Sequence, residues 1–81
     1  METIVKSITP SVVSQAAATL MVAEGGTSTL LVQQFLRNQG YQSYEAEVSK
    51  WLNVAAEEAG WAVEDKGLFR VYSFPENRFA A

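Results

Sequence analysis

The sequence predicts an α+β fold, three helices followed by a C-terminal β-hairpin, and three observations carry that prediction. Apolar residues recur at helical spacing in three successive segments, about 10–24, 29–39 and 44–59. Each segment ends at Gly25-Gly26, Asn38-Gln39-Gly40 or Gly60, and residues that cap helices precede each start. After Gly60 the apolar period changes from 3.6 to 2, which marks strands at about 61–64 and 68–74.

Residues 1–8 are mixed, and Ile4, Val5 and Ile8 suit a strand, an extra helical turn or a docked arm. Thr9-Pro10 opens the first helix, because Thr caps well and Pro loses nothing where its N–H would go unbonded. Val13, Ala16, Ala17, Leu20 and Ala23 form its core stripe. Thr27-Ser28 caps the second helix, whose stripe is Leu31, Val32, Phe35 and Leu36. Gly40-Tyr41-Gln42 then makes a tight connection to Ser43, the expected cap of the third helix. Glu45 and Glu47 favour that start through the helix dipole. Val48, Leu52, Ala55 and Ala59 share its inner face, with Trp51 beside them.

The hairpin register follows from side-chain alternation. A Lys66-Gly67 loop would set Val63 against Arg70, mixing a core residue with a charge. An Asp65-Lys66-Gly67 loop, with Gly at the left-handed bulge position, pairs Val63 with Phe69 and Trp61 with Val71. That register turns those four apolar residues inward and Glu64, Arg70 and Tyr72 outward, and it is the one expected. Pro75 closes the strand, since it cannot donate to a ladder. The tail, about 76–81, is expected to be flexible, with Phe79 a candidate for docking.

Eighty-one residues suit a single domain, residues 1–81, and a chain this short buries only about 60–65% of its unfolded surface. The 48% apolar content meets that demand. Cysteine and histidine are both absent, which removes disulfides, thiolate nucleophiles, the usual general base and the commonest zinc ligands. No catalytic residue, metal site or cofactor is therefore expected, and the chain does not read as an enzyme. The most apolar stretch, Val12 to Ala23, is broken by Ser14, Gln15 and Thr19, so no membrane span is expected. A Met-Glu start with Lys6 alone ahead of that stretch fits a secretory signal badly, which makes the cytoplasm the expected compartment.

Helix, helix, short turn, helix and hairpin is an order that resembles the winged helix-turn-helix domain of small bacterial or phage regulators. The resemblance spans about residues 10–74. It rests on Leu31-Val32-Gln33-Gln34-Phe35-Leu36-Arg37-Asn38-Gln39-Gly40-Tyr41, on Val48-Ser49-Lys50-Trp51-Leu52, and on Gly60-Trp61 followed by Gly67-Leu68-Phe69-Arg70-Val71-Tyr72 as the wing. It implies a short strand before the second helix, near Thr27-Ser28-Thr29, paired with the wing. It also implies that the third helix enters the major groove of double-stranded DNA in a role in transcription regulation.

On a helical wheel the outward stripe of the third helix is Ala46, Lys50, Asn53 and Glu57. Lys50 suits guanine, Asn53 adenine, and Ala46 a thymine methyl. Ser43 and Tyr44 at the helix start suit phosphate, with Arg37, the wing-tip Lys66 and Arg70 adding backbone contacts. Against this, the net charge is −3, and residues 43–60 carry four Glu against Lys50 alone. Lys50 and Asn53 are also ordinary solvated residues of an exposed face. The alternative is a winged-helix adaptor that binds a protein partner without DNA, through Tyr44, Tyr72 or the first helix. That helix is rich in small residues, Ala16-Ala17-Ala18 with Ser14, and carries more apolar surface than one face needs, which suggests a homodimer. Glu24-Gly25-Gly26-Thr27-Ser28-Thr29 is explained by adjoining helix caps rather than a phosphate loop. Glu57 and Glu58 point about 100° apart on a helix and make no acid–base pair.

Overall fold

Residues 6–75 are described in the computed structural model, in the order β1 (Lys6–Ser7), α1 (Pro10–Glu24), α2 (Thr29–Asn38), β2 (Tyr41–Gln42), α3 (Glu45–Ala59), β3 (Ala62–Asp65) and β4 (Arg70–Ser73). The flexible tail expected from Glu76, the docking of Phe79 and the roles of Ile4 and Val5 lie outside the described residues. Three helices and a C-terminal antiparallel hairpin make the α+β arrangement that was expected, and its shape is compatible with a winged helix.

The helix boundaries follow their caps. Thr9 is extended and its Oγ1 accepts the Val12 N–H at 3.1 Å, with Pro10 next in line. Gly25, at φ 86°, takes the left-handed conformation that ends α1, and its N–H reaches the Met21 carbonyl at 2.8 Å. Ser28 caps α2 by accepting from the Leu31 N–H at 3.4 Å.

The start of α3 differs from expectation. Tyr44, not Ser43, is the N-cap, and its side chain makes no capping bond. Ser43 is instead buried: its hydroxyl donates to the Gln33 carbonyl, and its own carbonyl accepts the Gln33 Nε2, both at 3.2 Å. The buried Gln33 amide thus finds its partner in the Ser43 main chain, and the buried Ser43 hydroxyl finds its own in the Gln33 main chain. This staple fixes the turn between α2 and α3.

The core gathers Val13, Ala17 and Met21 of α1, Val32 and Leu36 of α2, Val48, Leu52 and Ala56 of α3, and Tyr72 of β4. Small residues on α1 and α3, among them Ala16, Ala17, Ala55 and Ala56, let the two helices approach closely. The stripes are displaced at their edges. Met21 is buried where Leu20 is only partly covered, Ala56 replaces Ala59, and Leu31 and Ala23 lie exposed. Val12 and Leu20 pack against the core, so Val22 is the large apolar residue that α1 leaves exposed.

Lys6–Ser7 is a strand, paired in parallel with Tyr41–Gln42, so the tight connection after α2 is itself part of a two-stranded sheet. Thr27 pairs with Tyr72 on the far side of β4, exchanging N–H···O bonds of 2.8 and 2.7 Å. This is the short pairing expected before the second helix.

The hairpin register is a correction. Val63 faces Tyr72, not Phe69, and Asp65 faces Arg70. The Lys66 N–H bonds the Phe69 carbonyl at 2.8 Å, so Gly67 and Leu68 form the tip. On β3 the inward expectation holds for Trp61, which packs against the core, and fails for Val63, which is 46% exposed. The β4 half is inverted: Tyr72 is fully buried, Phe69 is exposed, and Trp61 meets Phe74 edge-on at 6.3 Å. An odd shift in register turns a strand over. Two contacts decide it: Thr27 holds β4 from outside, and only Tyr72 can be buried there with its hydroxyl bonded.

Candidate functional site

Tyr72 reaches from β4 under α3, where its hydroxyl donates to Asn53 Oδ1 at 2.9 Å. Arg70 Nη1 donates to the same oxygen at 3.1 Å. An arginine can only donate, so this pairing fixes which end of the Asn53 amide faces the hairpin. One side chain of the third helix thus latches two residues of the wing.

The latch leaves a groove of about 950 Å³ between three elements. Leu30 and Leu31 line it from the start of α2, Glu45, Ser49 and Asn53 from α3, and Asp65, Leu68, Phe69 and Arg70 from the hairpin. Leu68 is 97% exposed, Leu30 59%, Phe69 55% and Leu31 47%. The wing tip is held open by local chemistry. Asp65 Oδ1 accepts the Gly67 N–H at 2.8 Å, and Gly67 takes φ 95°, a conformation that disfavours any side chain. Leu68 is thereby carried into solvent instead of onto the core.

The residues expected to contact DNA fall into separate settings. Asn53 and Arg70 come together, as the latch. Lys50, one turn before Asn53 on the same face, is exposed and its ammonium lies 4.8 Å from the centre of the Trp51 ring. Lys66 pairs with Glu64 at 3.0 Å across an exposed surface. Ala46 and Tyr44 are exposed, and the Tyr44 hydroxyl accepts a hydrogen bond from Gln42 Nε2. Ser43 is buried in the staple, and Arg37 donates to its carbonyl at 3.4 Å. Those two side chains therefore serve the turn between α2 and α3.

The groove-lining Leu30, Leu68, Phe69, Glu45 and Asp65 are not among the residues singled out from sequence for binding. Two signals point to them. Leu30-Leu31-Val32 has more consecutive apolar residues than one helical face can bury. Asp65 two positions before Gly67 is the spacing of an Asx turn, which sets the tip one residue later than expected. Among the described residues, no helix is long and apolar enough to cross a membrane. No family model, curated protein or solved structure matches the chain.

Proposed function

We propose that this chain is a protein-docking module of winged-helix shape and that the groove between α2, α3 and the wing is its docking face. The observation that supports it is the exposure of Leu30, Leu31, Leu68 and Phe69 around one groove. Fully burying one such side chain is worth about 1.5–3 kcal/mol, so two of them outweigh a few screened surface charges. The cations available to a nucleic acid on this side are Lys50, Lys66 and Arg70, each with a partner inside the chain. Three phosphate contacts would give a salt slope of only about 3, a weak grip for a lone domain.

Duplex DNA on the same face is the second reading, favoured by the run Lys50, Asn53 and Arg70 across the helix–wing junction. Photo-crosslinking from position 68 in cell extract separates the two. The docking reading expects a discrete protein adduct that survives high salt and disappears with Leu31→Asp. An adduct to nucleic acid, or none above the Leu31→Asp background, overturns it.

A further inference from the structure

We infer that the groove takes a cationic peptide segment, one or two large apolar anchors flanked by Lys or Arg. This rests on the docking reading above and adds the chemistry of the partner. The exposed Leu30, Leu31, Leu68 and Phe69 form the apolar seat for the anchors. The charges that line it are two carboxylates, Glu45 and Asp65, against one cation, Arg70. Arg70 keeps its charge, but its hydrogen bond to the neutral Asn53 amide holds it against α3. Lys66, outside the lining, is paired with Glu64.

Glu45 and Asp65 remain. Both line the groove, one on the helix side and one on the wing, and neither has an ion pair among the described residues. Asp65 uses one oxygen to accept from the Gly67 N–H, which fixes the carboxylate at the rim. An apolar centre between two carboxylates, which outnumber the one lining cation, selects a ligand whose hydrophobic residues are bracketed by positive charge. The chain's net charge of −3 works in the same direction at long range, raising the encounter rate with cationic partners. A segment with acidic flanks meets repulsion at both rims.

The test is selection of short random peptides, displayed as a library, on the wild-type chain, with counter-selection on the Leu68→Asp variant. Enriched peptides should carry Leu, Phe or another large apolar anchor flanked by Lys and Arg. A selected peptide should lose about three- to tenfold in affinity for the double variant Glu45→Gln, Asp65→Asn. That variant keeps the oxygen that accepts from Gly67, and its thermal unfolding checks the fold. Enrichment of acidic or uncharged flanks, or unchanged affinity in the double variant, overturns the cationic inference and leaves the docking face standing. No enrichment above the Leu68→Asp background overturns both.

Discussion

Asn53 is the residue on which the helix–wing junction turns. It lies on the polar stripe of α3, where the sequence alone gives it the look of a solvated or base-reading side chain. Its partners return 17 and 19 residues later in the chain, and no local pattern announces them. The same is true of Gln33 and Ser43, ten residues apart. Tyr72→Phe should cost about 0.5–1.5 kcal/mol in urea unfolding, one hydrogen bond, whereas Tyr72→Ala should cost about 3–5 kcal/mol through the cavity. Asn53→Ala should cost about 1–3 kcal/mol, because it strands the Tyr72 hydroxyl. A double-mutant cycle between positions 53 and 72 that shows no coupling would contradict the latch. Thr27 offers the opposite sign. Its hydroxyl is buried with no hydrogen-bond partner among the described residues, so Thr27→Val should keep the shape and raise stability by about 1 kcal/mol, read from the same urea curves.

At the level of elements, the helices were legible because their information is local. Thr9-Pro10, Ser28 and the closing glycines fix each boundary within a turn, and the caps observed are largely those read from sequence. The hairpin was legible in existence and not in register. Alternation gives two faces to each strand, but which face of β4 turns inward is set by Thr27 and Asn53, both far away in sequence. The wing should therefore be sensitive to its turn chemistry and tolerant at its tip. Gly67→Ala should cost about 1–2 kcal/mol, since an alanine resists φ 95°. Leu68→Asp should change stability by less than about 0.5 kcal/mol, because that side chain touches little. Comparing the two urea midpoints checks both statements. A large loss from Leu68→Asp would mean the tip packs onto the body of the chain.

Across the whole molecule, charge and apolar surface give the same answer. The net charge of −3 left the role of the few cations open, since what matters is where they sit. The fold gives Arg37 to the turn, Lys66 to Glu64 and Arg70 to Asn53, while it leaves Leu30, Leu68 and Phe69 exposed. The candidate site was half legible for that reason. Its scaffold of third helix and wing could be read from element order, but its apolar lining depended on a register that sequence did not fix. Partner binding through this face should persist as salt rises, because burial of apolar area is not screened. The most direct test is an amide-resolved NMR titration of the labelled chain with mixed-sequence duplex DNA at low salt. The docking account predicts no saturable shifts at Lys50, Asn53, Lys66 or Arg70. Saturable shifts at those four positions, lost on adding salt, would contradict it and make the third helix a DNA-reading element.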